Sequence, residues 1–120
     1  MRKRPEEARK PLSLPVLHIL LSLADGARHG YAIKQDIEQR TGGAIRLGPG
    51  TLYEAIQRLL EGGLIEEGES DEEPANAQVA QRRYYALTSR GWDVLREELR
   101  QLDVILDLAR ANPRLRKGLA

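Results

Sequence analysis

Within the stretch "GPGTLYEAIQRLLEGGLI" (48–65), Thr51, Glu54 and Arg58 are separated by three and then four residues. On a helix these spacings stack a hydroxyl, a carboxylate and a guanidinium along one side. Such groups exchange hydrogen bonds with phosphate oxygens and base edges, which is recognition chemistry rather than bond-making. Other residues of the same character lie nearby: Tyr31, Lys34, Arg46, Tyr53, Arg82 and Arg83, with Arg28 and His29 beside them. For each, an ordinary solvated or half-buried side chain is the plain alternative to a ligand contact.

Constellations that make or break bonds are missing from the sequence. It has no cysteine, which excludes disulfides and thiolate chemistry. His18 and His29 have no carboxylates at metal-ligand spacing, and His18 sits among leucines as a packed or edge residue. "GPG" lacks the lysine and hydroxyl that a phosphate-cradling loop requires. We therefore expect no enzyme, no metal and no cofactor.

Composition narrows the class further. The 120 residues suit one domain, and 41% hydrophobic with 31% charged residues is a globular balance. A net charge of +1 argues against general polyanion binding, so any nucleic-acid site must come from local charge placement. The longest apolar run, Val16 to Ala24, is too short for a membrane span, and no secretory signal pattern follows the charged N-terminus. A cytoplasmic protein without a membrane partner is expected.

Several elements must position the candidate residues. A helix is predicted from Ser13 to Ala24, with Ser13 as cap and Pro15 in the first turn. A second runs from Gly30 to Arg40 and stops at Thr41-Gly42-Gly43. "AIRL" (44–47) could add a very short strand. The third helix starts at Gly48-Pro49, buries Leu52, Ile56, Leu59 and Leu60, and ends at Gly62-Gly63. "LIEEGE" (64–69) and "RRYYALT" (82–88) then read as a two-stranded antiparallel ribbon, its long tip carrying "SDEEPANAQVAQ". Thr88 caps a long last helix, in which Trp92, Leu95, Leu99, Leu102, Leu106 and Ala109 repeat at alternating spacings of three and four. That heptad seam, widened by Val94, Val104, Ile105 and Leu108, suits a helix paired with a second copy. Trp92 reads as core, or as one wall of an effector pocket between subunits.

Three helices followed by a ribbon give a helix-turn-helix with a wing. The third helix is then short and firmly punctuated because it must sit at a fixed angle, its outer face free for the major groove of DNA. "HGYAIKQDI" (29–37), "GPGTLYEAIQRLLEGGLI" and "RRYYALTSRG" (82–91) together resemble the PadR-type transcriptional regulators. The resemblance covers about residues 14–91 and implies a dimeric repressor, often relieved by a small effector. Two departures stand out: Glu54 occupies a position that is often proline in such proteins, and the wing tip is long and acidic (Glu66, Glu67, Glu69, Asp71, Glu72, Glu73).

The expected fold class is mainly α with a small two-stranded β wing: a winged helix-turn-helix with a long C-terminal dimerisation helix. Residues 1–11 form a flexible basic arm, 12–88 the DNA-binding domain, 89–112 the dimerisation helix and 113–120 a flexible tail. The expected DNA contacts are Tyr31, Lys34, Arg46, Thr51, Tyr53, Arg58, Arg82 and Arg83, with Thr51 reading bases and Arg58, Lys34 and Arg82 mainly on phosphate. Leu95, Leu99, Leu102 and Leu106 carry dimerisation. Expected partners are double-stranded DNA with a pseudo-palindromic operator, a second copy of the chain and a small effector. A protein-binding winged helix and a small-molecule sensor with little DNA binding stay open as alternatives.

Overall fold

A computed structural model of the chain describes residues 11–68, 75–80 and 82–119. The N-terminal arm up to residue 10 and the acidic residues 69–73 lie outside the described residues. The elements are α1 (Leu14–Leu23), β1 (Arg28–His29), α2 (Gly30–Arg40), α3 (Pro49–Glu61), β2 (Ile65–Gly68), α4 (Ala77–Ala80), β3 (Tyr84–Leu87), α5 (Ser89–Arg110) and α6 (Pro113–Arg116).

Local chemistry sets the helix boundaries. The hydroxyl of Ser13 accepts from the backbone N–H of Val16 at 3.4 Å, opening α1. Gly48 and Pro49 open α3, since proline at a first helical position lacks an N–H that would have no partner anyway. Thr88 accepts from the Gly91 N–H at 3.0 Å and opens α5. Between α2 and α3, Gly42 and Gly43 take positive φ of 60° and 84°, a conformation that other residues adopt at a cost. Thr41 Oγ1 braces this turn, donating to the Ile37 carbonyl at 2.8 Å and accepting from Ile45 N–H at 3.1 Å. Residues 44–47 are therefore a braced coil and not the short strand their composition suggested.

One apolar core joins the parts. Ile19 and Leu20 of α1, Ile33 and Ile37 of α2, and Leu52 and Ile56 of α3 are all buried, with Ile65 and Tyr85 from the sheet beside them. The ribbon forms as expected between β2 and β3, with Ile65 opposite Leu87 and Glu67 opposite Tyr85. A third strand corrects the two-stranded expectation: β1 pairs antiparallel with β3, Arg28 opposite Tyr85 and His29 opposite Tyr84, giving the order β1-β3-β2. The sheet thereby fastens the wing to the N-terminus of α2.

Helix α5 starts in the core and then leaves it. Leu95 is 2% exposed and packs within its own domain, so it does not belong to a free dimerisation seam. From Leu99 to Leu108 every residue is exposed, including Leu102, Ile105 and Leu106. The terminal stretch read as a tail opens with the single turn of α6, capped by Asn112, whose side chain accepts from Arg114 N–H at 2.9 Å.

Candidate nucleic-acid interface

Helix α3 turns Leu52, Ile56 and Leu59 to the core and leaves Thr51, Tyr53, Glu54, Gln57, Arg58 and Glu61 exposed. Thr51 lies in the first turn, the part of such a helix that meets base edges in helix-turn-helix proteins. Beside it, between α2, α3 and the wing, lies a depression of about 230 Å³. Its walls include Tyr31, Tyr53, Arg82 and Arg83, so four of the eight expected contact residues come together there, from three separate stretches of chain.

Gly30 makes this arrangement fit. The Tyr53 ring lies over its α-carbon, and a Cβ built at Gly30 would stand 2.5 Å from the Tyr53 hydroxyl oxygen. Both Tyr31 and Tyr53 remain about half exposed, with hydroxyls that can donate to an anionic oxygen.

His29 holds a double position. Its Nδ1 accepts from the Ala32 N–H at 3.2 Å and caps α2, while its Nε2 lies 3.2 Å from a guanidinium nitrogen of Arg82. A neutral imidazole accepts at one nitrogen only, so the cap and an Arg82-to-Nε2 bond exclude one another. With the cap made, Arg82 faces an N–H and keeps its donors for an outside acceptor. Burial first, and the Arg82 charge second, push the His29 pKa below its ordinary value. The ring also meets Tyr84 edge to face, centroids 5.4 Å apart.

Lys34, Arg46 and Arg58 lie outside the depression, and several of the basic side chains already have partners. Lys34 pairs with Glu38 at 3.0 Å, Arg58 with Glu54 at 3.0 Å and Arg83 with Glu67 at 3.4 Å. Arg46 donates to the Gly43 carbonyl at 3.3 Å, beside a separate polar hollow that includes Gln35 and Gln39. Arg28 turns inward: it donates to the Ser22 carbonyl at 2.9 Å and lies 3.6 Å from Asp25 and 3.9 Å from Asp36. Arg40 joins the same cluster through Asp25 and Asp36. These two arginines tie α1 to α2, so the Arg28 guanidinium is engaged within the domain. Among the described residues no group of three side chains could hold a metal ion, and no helix is long and apolar enough to cross a membrane.

Comparison with known proteins decides the family. The model of the transcriptional regulator PadR-like family matches residues 17–97. This chain belongs to the PadR-like family. A 37.1 kDa uncharacterised protein in transposon TN4556 of Streptomyces fradiae is 40% identical over 80 residues, 67% of this chain. The chain spans only 20% of that protein. Among solved structures, a PadR family transcription regulator from Clostridium difficile R20291 is 26% identical, with a TM-score of 0.65 over 82% of this chain and 97% of that one. Bacillus subtilis PadR, solved with operator DNA, shares the fold at 21% identity and a TM-score of 0.60, covering 74% of this chain and 48% of that chain. The PadR-like chain is thus a winged helix-turn-helix with a long C-terminal helix, from a family of transcriptional regulators. The motifs named His29 only as a candidate contact and did not reveal its capping of α2 or the closeness of Gly30 to Tyr53. The only hint was "HGY", a small residue between two ring-bearing ones at a helix start.

Proposed function

We propose that this PadR-like chain is a dimeric, sequence-specific DNA-binding repressor. The carrying observation is the exposed face of α3 beside a depression where Tyr31, Tyr53, Arg82 and Arg83 converge. Thr51 meets base edges in the major groove. The two tyrosines and Arg82 hold phosphate, and Arg83, Lys34 and Arg46 contribute where the backbone passes them. The operator complex of the Bacillus subtilis relative supports this use of the fold.

Dimerisation uses the outer part of α5. Leu99, Leu102 and Leu106 stand at heptad spacing and are 37–39% exposed in the single chain. Covering the part of each leucine that is still exposed contributes about 0.5–1 kcal/mol, roughly two-fifths of the value for burying a whole side chain. Two copies on a two-fold axis read a pseudo-palindrome with half-sites about one helical turn apart, or a multiple of it. A small effector relieves repression by binding unequally to two arrangements of the paired helices. Trp92, partly buried against the core with Arg96 5.3 Å from its ring centroid, is the candidate wall of that pocket.

Selection of bound sequences from a random duplex pool, followed by a salt titration, tests the proposal. A recovered pseudo-palindrome with affinity falling steeply in salt is expected. Recovery of no sequence, with salt-insensitive binding, would favour a protein-binding winged helix.

A further inference from the structure

One of the outward positions of α3 carries a negative charge near the start of the helix. At 100° per residue, Glu54 lies roughly opposite the mean direction of Leu52, Ile56 and Leu59, which face the core. Its side chain is 67% exposed, and its Oε1 accepts from a guanidinium nitrogen of Arg58, itself 77% exposed, at 3.0 Å. A pair this exposed contributes little to stability, so its place is not explained by holding the helix together. If α3 enters the major groove, Glu54 enters it as well.

The chemistry of the groove then restricts what can lie opposite. Phosphate oxygens, guanine N7 and O6, and thymine O4 are all acceptors and repel a carboxylate. The amino group of cytosine is a donor with no acceptor beside it on that edge. The bond to Arg58 uses Glu54 Oε1, and Oε2 can accept from that amino group. Arg58 keeps further N–H groups, which match the two acceptors of guanine. We infer, building on the DNA-binding role proposed above, that Glu54 and Arg58 act as one bonded unit that selects a C·G pair in each half-site. Glu54 accepts from the cytosine N4 amino group and holds the Arg58 guanidinium toward guanine O6 and N7. Arg58 is then a base-reading residue and not chiefly a phosphate contact. The carboxylate also weakens binding elsewhere, which is specificity by repulsion.

The test compares the wild-type chain with Glu54→Gln and Arg58→Ala in parallel selections from a random duplex pool, each followed by anisotropy titrations on the selected and a random duplex. Both side chains are exposed, so circular dichroism should show the fold retained in all three proteins. For the wild-type chain we expect a C·G pair at one fixed place per half-site, with substitution there costing roughly 5- to 100-fold in affinity. Glu54→Gln should change the preferred base at that place alone, toward adenine, whose N6 and N7 suit an amide. It should also raise affinity for random duplex. Arg58→Ala should lose the preference at the same place and leave the rest of the site intact. A wild-type site that Glu54→Gln recovers unchanged, or two variants that alter different places, would overturn the paired readout while leaving DNA binding standing. A wild-type chain that recovers no sequence overturns the DNA-binding role, and the paired readout falls with it.

Discussion

The ring of Tyr53, on α3, rests on the α-carbon of Gly30, the first residue of α2. Any side chain at Gly30 must displace that ring, and the ring has room to swing outward because Tyr53 is about half exposed. Gly30→Ala should therefore change stability by no more than about 1 kcal/mol. It should still weaken binding to the selected duplex severalfold by moving the Tyr53 hydroxyl. Thermal melts and anisotropy titrations together check this; unchanged DNA affinity would mean that the tyrosine's placement serves packing alone.

His29 gives the fold a dependence on pH. Its pKa is lowered by burial and by Arg82, so the unfolded chain takes up a proton at a higher pH than the folded one. Stability from the neutral ring is complete above its ordinary value of about 6.5. It is lost progressively as pH falls from there through the lowered folded-state value. Protonation also removes the Nδ1 acceptor that caps α2. Melting temperature should fall between pH 7 and pH 5 in the wild type, and by less in His29→Asn, which keeps a capping side chain that does not titrate. Equal slopes in the two proteins would remove His29 as the cause.

Placing glutamate at both Leu99 and Leu102 should yield monomers. Both positions are exposed in the single chain, so the domain itself should stay folded. Affinity for a two-half-site duplex should drop at least tenfold, which corresponds to about 1.4 kcal/mol. Sedimentation checks the association, and a monomeric wild type at micromolar concentration would remove the dimer.

Gly91 packs where a Cβ would overlap the carbonyl oxygen of Leu64, a backbone atom that cannot swing aside. Gly91→Ala should destabilise the chain by about 1–3 kcal/mol, the range for overfilling a packed site. Gly50→Ala makes a control, since nothing lies within 4 Å of a Cβ there. It should be neutral or stabilising by up to about 1 kcal/mol. Denaturant unfolding of the two variants distinguishes them.

Thr51→Val keeps the shape of the side chain and removes its hydrogen bonds. A shift in the selected sequence at one place per half-site is expected, with affinity for random duplex little changed. Equal losses on both duplexes would make Thr51 a backbone contact.

Much of the architecture was legible because helix punctuation is local. Ser13, Gly48-Pro49, Gly62-Gly63 and Thr88 act within a few residues of themselves, and the helices begin and end beside them. Strand β1 was not legible, because its two residues hold strand geometry only by pairing with β3, more than fifty positions away. Leu95 and Leu99 look alike in the heptad pattern, yet one is core and the other exposed, since only contact with the rest of the domain distinguishes them. In the candidate site, residue types were readable while their partners were mixed. Lys34 with Glu38 and Glu54 with Arg58 follow from four-residue spacing. The meeting of His29 with Arg82, and of Gly30 with Tyr53, depends on how wing and helices close together.

Thr88 does more than cap α5. Its hydroxyl donates to the Gly63 carbonyl at 2.6 Å, its N–H donates to the Leu64 carbonyl at 3.1 Å, and Gly91 presses on that same carbonyl. The end of α3 and the start of α5 thus meet in a stiff joint with little play. The 22 residues of α5 make a lever of about 33 Å. A tilt of about 5° at the joint moves the far end by about 3 Å, close to the 3.4 Å rise of one base pair. In the dimer proposed above, small angular changes where two such levers cross would carry each reading head out of phase with its half-site by close to one base-pair step.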